Sequence, residues 1–101
     1  EALNEFAAGV RAMFGARVVA ILLFGSAARG ARHEDSDLDV AVVVEGLSYA
    51  EGTACAHLAG DLLTKYDVII SPFAVSAERM NVLRNRERLI AAEIDRDGVA
   101  L

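Results

Sequence analysis

A chain of 101 residues with a net charge of −5 is long enough for one domain around one core, expected to span residues 1–101, and leaves no room for a second substrate-binding domain. The acidic balance argues against a stable, sequence-independent hold on DNA or RNA, whose affinity comes from neutralising phosphates. It favours a basic protein partner instead. The apolar fraction of 54% exceeds the usual roughly 45–50%, and aromatics are sparse, so the core should be aliphatic and alanine-rich. Surplus apolar surface would favour association, including a homo-oligomer. The single cysteine, Cys55, has no internal disulfide partner and reads as a small apolar residue. The longest apolar run is too short to span a bilayer, and no signal peptide is evident. A cytoplasmic location and no membrane contact are expected.

Leu3, Phe6, Ala7, Val10, Met13 and Phe14 recur at helical spacing, so the chain should open with an amphipathic helix that Gly15 ends. Val18 to Phe24 (VVAILLF) is a short, continuous apolar run rich in β-branched residues, which reads as a buried strand. Gly25 breaks it, and a short helix from Ser26 to about Ala31 should carry Arg29, followed by a polar loop from Arg32 to Ser36. A strand that stops at Gly25-Ser26 and turns into a helix exposes unpaired backbone N–H groups, where donors and dipole together favour a phosphate. Ser26 adds a hydroxyl donor and Arg29 a fixed positive fork. Leu38 to Val44 (LDVAVVV) is the next strand. Alternation along it puts Asp37 and Asp39 on one face while Leu38 and Val40 point into the core. Two carboxylates that close repel unless a divalent cation sits between them, and magnesium suits one or two carboxylates completed by substrate phosphates. The segment from Gly25 to Asp39 thus fits a nucleoside triphosphate held with Mg2+.

Past a loop at Glu45 to Leu47, Ser48 and Glu51 have the spacing of a capping box, opening a helix through about Lys65. Gly52 and Gly60 weaken that helix by about 1 kcal/mol each relative to alanine, which suggests close packing against a neighbour. Asp67 to Phe73 (DVIISPF) should form the third strand, with Pro72 placing it at a sheet edge or end. Ser76 can cap one final helical stretch with Met80, Leu83, Leu89, Ile90 and Ile94 as its apolar positions and Gly98 just past its end. Arg79, Arg84, Arg86 and Arg88 form either a solvated face or a strip for an acceptor or a second copy. His33, in the loop before the acidic pair, reads as a solvated histidine, and His57 as a structural or surface residue. No Cys-His cluster suggests zinc, and no nucleophile-base-acid set suggests covalent catalysis.

The pattern Gly25-Ser26, Arg29-Gly30, then Ser36-Asp37-Leu38-Asp39 resembles the signature of the nucleotidyltransferase superfamily typified by DNA polymerase β, and most closely its minimal nucleotidyltransferase (MNT) domains. The order of predicted elements resembles that family across nearly the whole chain, as does the tail Ile94 to Leu101. The resemblance implies an α/β (α+β) nucleotidyltransferase fold: a small mixed sheet of about three to four strands flanked by helices. It implies transfer of AMP from ATP to a hydroxyl with release of pyrophosphate, with Mg2+ on Asp37 and Asp39. Gly25, Ser26 and Arg29 would hold the phosphates; Arg29 could merely pair with Glu34 or Asp35, yet the resemblance points it at phosphate. Family members add a third carboxylate from the next strand, which helps deprotonate the acceptor; Asp67 is the best match, and a plain strand-entry role is as good a reading of it. Small MNT proteins are commonly encoded beside a HEPN-type ribonuclease toxin and act as antitoxins that bind and can adenylylate it. Two other readings stay open: a catalytically weak or inactive binding module that neutralises its partner by complex formation, and a small-molecule nucleotidyltransferase that oligomerises to complete its acceptor site. Whether Asp67 comes within metal reach of Asp37 and Asp39 separates the enzyme from the binding module.

Overall fold

The structure is a computed structural model that describes residues 1–30 and 37–101. Its elements are α1 (Ala2–Phe14), a 3-10 turn (Gly15–Arg17), β1 (Val18–Phe24), α2 (Gly25–Ala28), β2 (Leu38–Val44), α3 (Tyr49–Tyr66), β3 (Ile70–Ser76), α4 (Ala77–Asn85), α5 (Leu89–Asp97) and β4 (Val99–Ala100). The strands form one sheet in the order β3-β2-β1-β4. β1 runs antiparallel to β2 and β4, and β3, reached through the long α3 crossover, runs parallel to β2. The mixed α/β architecture expected from the sequence is the one observed, with β4 as the fourth strand.

Helices cover both faces of the sheet. On one face α1 and α3 bury Phe6, Val10, Cys55 and Leu62 against Ile21, Leu38, Val40, Val42 and Val44. On the other, α4 and α5 bury Met80, Leu83, Ala91 and Ile94 against Phe24, Ala41, Val43 and Val75. β2 is therefore apolar on both sides from Val40 to Val44, the pattern of a central strand. β1 is less enclosed than its unbroken apolar run predicts: only Ile21 and Phe24 are buried and Val19 is 56% exposed, because its outer neighbour β4 is two residues long. Cys55 is fully buried, and burial pushes its thiol up from the ordinary value, as a packing residue should behave. His57 is exposed on α3. No helix among the described residues is long and apolar enough to cross a membrane.

Local chemistry explains the boundaries. Gly15 ends α1 at φ 56, its N–H bonded to Arg11 O. Ser48 and Glu51 complete both bonds of the capping box, and Glu51 also takes a two-pronged bond from Arg17, at 2.7 and 2.9 Å, which with Ser48 holds its carboxyl at about 2. Glu5 on α1 accepts from Lys65 Nζ at 2.7 Å and Tyr66 Oη at 2.5 Å, tying α1 to the end of α3.

Four expectations are corrected. Gly52 and Gly60 face open space, and the close approach falls at Gly9, where a Cβ would lie 2.7 Å from Leu58 Cδ2. Met13 is 42% exposed, outside the core. The third strand begins at Ile70 instead of Asp67, because α3 runs one residue past Lys65 and Asp67 closes it in the left-handed region, φ 55, with its N–H bonded to Leu63 O at 2.8 Å. Pro72 does lie in an edge strand. The single terminal helix is two, broken where Glu87 turns left-handed at φ 53 and Arg88 N–H reaches back to Leu83 O. Leu89 then starts a new helix and is 88% exposed. Phe6, with no exposed surface, is the largest of the fully buried side chains; Phe6→Ala should lower unfolding free energy by about 3–5 kcal/mol, measured by denaturant unfolding.

Candidate active site

The β1–β2 register builds the site. Phe24 pairs with Asp39 at the end of the antiparallel ladder, so the turn that follows Phe24 lies over the carboxylate of Asp39. Gly25 makes this possible in two ways. Its φ of +74 strains any residue with a side chain, and a Cβ there would lie 2.5 Å from Asp39 Oδ2. The backbone of the turn and the acidic strand therefore meet with no side chain between them.

α2 is a single turn, Gly25 to Ala28, shorter than the predicted helix. So short a helix sums few peptide dipoles, and anion recognition here would rest on individual donors: the turn amides, the half-buried Ser26 and Arg29. Arg29 occupies the C-cap of α2, and Ala31 to Ser36, including His33 and Ser36, lie outside the described residues.

Asp37 is exposed and Asp39 half-buried. Burial, then the charge of Asp37, then that of Glu93 raise the carboxyl of Asp39 above its ordinary value. Burial and two acidic neighbours thus disfavour its charge, and a divalent ion between Asp37 and Asp39, its shell completed by phosphate oxygens, would relieve that. Asp37 also reaches the mouth of a groove of about 300 Å3 lined by Gly60, Leu63, Ile69 and Ser71.

Asp67 stands apart from this pair. It caps α3 three residues ahead of β3, and the residue that pairs with Asp39 across the parallel ladder is Ser71. Among the described residues no three His, Cys, Asp or Glu side chains are grouped to share a metal.

Two carboxylates that the sequence reading missed come from α5. Arg29 Nη1 donates to Asp97 Oδ2 at 2.9 Å and lies 3.5 Å from Glu93 Oε1. Asp97 also accepts from Arg96 Nε and Nη2 at 3.0 and 2.9 Å, and the two arginines hold its carboxyl at about 2. The available signal was spacing: Glu93 and Asp97 are four apart on one helix face.

The nucleotidyltransferase domain family matches residues 3–94, and this chain belongs to it, so it is a nucleotidyltransferase. Two proteins of Methanocaldococcus jannaschii, each named a putative protein adenylyltransferase, are similar. One is 33% identical over 81 residues, 80% of this chain and 77% of its own length. The other is 33% identical over 73 residues, 71% and 74% of the two chains. Among solved structures, a toxin-antitoxin crystallised with AMP-PNP superposes with a TM-score of 0.63 at 21% identity, over 94% of this chain and 68% of that one. A mutant of the toxin-antitoxin MntA-HpeT gives 0.62 at 21% identity, over 97% and 70%. These structural likenesses establish the shared fold.

Two outcomes are expected from this geometry. Because the folded value of Asp39 is raised, its charge costs stability above the unfolded value near 3.9, and the cost fades as pH falls below it. Asp39→Asn should therefore melt higher than the parent protein at pH 7 without metal, the gain closing below about pH 4, in thermal scans across pH. Gly25→Ala should lose about 1–2 kcal/mol from backbone strain and also weaken magnesium binding by displacing Asp39, read by denaturant unfolding and calorimetry.

Proposed function

We propose that this domain transfers AMP from ATP to a hydroxyl of a partner protein, with Mg2+ on Asp37 and Asp39. The observation that carries the reading is the close approach of the Gly25 backbone to Asp39, which sets the turn amides directly beside the acidic pair. In the reaction the acceptor oxygen bonds to the α-phosphorus, the bond from that phosphorus to the bridging oxygen breaks, and pyrophosphate leaves with its electrons. When bound, magnesium supplies charge neutralisation and alignment of the phosphates. Asp37 and Asp39 hold it, the Gly25–Ser26 amides and the Ser26 hydroxyl hold the outer phosphates, and Arg29 steadies them with its guanidinium. Asp67 is the third carboxylate the family resemblance offers for the acceptor proton, and from the α3 C-cap it would have to reach the pair from outside β3.

The names of the relatives support a protein acceptor, since both are called protein adenylyltransferases. The toxin-antitoxin neighbours support a toxin as that acceptor, and one was crystallised with an ATP analogue. We assign the partner to the HEPN-type ribonucleases, the location to the cytoplasm and the role to an antitoxin. The acidic balance of the chain suits a basic partner. A second reading is favoured by the position of Asp67 at the α3 C-cap: an antitoxin that keeps the fold and neutralises its partner by complex formation alone.

Calorimetry separates site from fold. ATP binding should require magnesium, and the paired change Asp37→Asn with Asp39→Asn should abolish the requirement along with most of the affinity; equal, metal-independent binding by that variant would contradict the site. With labelled ATP, magnesium and the toxin, Asp67→Asn should transfer AMP about 10²–10⁴ more slowly while still forming the complex. Full neutralisation by all variants, with no AMP added to the toxin, would leave the binding reading.

A further inference from the structure

We propose that Asp97 is the positioning residue for Arg29: the last turn of α5 holds the guanidinium beside the phosphate turn, so that triphosphate affinity depends on a carboxylate that does not touch nucleotide. This rests on the reading that Arg29 binds the outer phosphates.

An arginine at the end of a one-turn helix has little of its own to fix a long side chain, and Arg29 is 45% exposed. Asp97 is 10% exposed and doubly anchored, since Arg96 grips it through Nε and Nη2 while Arg29 donates to Oδ2. Glu93, one turn earlier on the same helix, adds a second negative charge 3.5 Å from the same nitrogen. Among the described residues these contacts engage Nη1 alone. A guanidinium can serve a carboxylate with one nitrogen and a phosphate with the others; a lysine cannot divide itself that way.

Both ends of this contact are mounted on β1. Arg29 follows the turn at its C-terminal end. Asp97 is followed by Gly98, whose N–H bonds Ile94 O at 2.8 Å and where a Cβ would lie 2.6 Å from that oxygen. Val99 and Ala100 then pair with Leu23 and Leu22, and Leu101 N–H bonds Ile21 O at 2.9 Å. The short β4 thereby fixes the end of α5 relative to the phosphate turn, and Asp97 stays ionised across the neutral range to complete the brace.

The test is the affinity of the full chain for ATP and for AMP with magnesium, by calorimetry. Asp97→Asn should weaken ATP about tenfold, the scale of one charged hydrogen bond, and leave AMP unchanged. Asp97→Glu should restore most of the loss, Arg96→Ala should reproduce a part of it by loosening Asp97, and Asp97→Asn should add nothing once Arg29→Ala is present. Arg29→Lys leaves α5 untouched and should also weaken ATP selectively, which keeps the test open if Asp97→Asn folds poorly. Wild-type or tighter ATP binding by Asp97→Asn, with Arg29→Ala weak, would overturn the brace and spare the phosphate role of Arg29. So would wild-type binding by Arg29→Lys. Wild-type binding by Arg29→Ala would instead overturn the phosphate role itself, and the brace with it.

Discussion

Phe24 opposite Asp39 is the pairing on which the rest of the molecule depends. It ends an antiparallel ladder whose inner strand, β2, is buried on both faces, and slipping that ladder by one residue would turn Asp39 toward the α1–α3 side and exchange the apolar residues between two differently packed cores. The register is thus pinned by burial of Val40, Ala41, Val42 and Val43, none more than 4% exposed. With the register pinned, the Gly25 turn must lie over Asp39. The absence of a Cβ at Gly25 then decides how near the backbone can come, and the site inherits its geometry from the most buried part of the sheet.

The charges around the turn balance in an unusual way. Asp37, Asp39, Glu93 and Asp97 approach from two elements, and Arg29 and Arg96 are the cations that meet the α5 pair. No such partner is described for Asp39, whose carboxyl is raised by burial and by its acidic neighbours. The site consequently holds repulsion that a divalent cation would relieve, at some cost to the stability of the metal-free fold. Asp97 contrasts with it: two arginines lower its carboxyl to about 2.

β3 is an edge strand, with Pro72 removing one donor from its ladder. A groove of about 530 Å3 lies along it, lined by Tyr49, Thr53, Phe73 and Arg79, while the groove at Asp37 opens between α3 and the start of β3. The sheet edge at β3 thus lies open beside Asp37, opposite the edge formed by β4.

Much of this was legible in the sequence, because it is written in local terms. The limits of β1 and β2 follow from apolar runs bounded by glycine and aspartate, the capping box from Ser48 and Glu51, and the Gly25-Ser26 turn with the acidic pair beside it from residues within fifteen positions of one another. What went unread depends on partners distant in sequence or on conformations that no residue type announces. Glu87 and Asp67 adopt positive φ without being glycine, and so split one expected helix in two and held Asp67 out of the strand. Gly9 and not Gly60 met a neighbour, because the crossing of α1 with α3 chose the point of approach. Arg29 found Asp97, sixty-eight residues away, only because β4 returns the chain to β1. Sequence by itself determined which groups could do the chemistry, since side-chain type and short-range periodicity are local properties; tertiary structure alone decided which of those groups meet, since that is set by the packing of the sheet and the path of the chain across it.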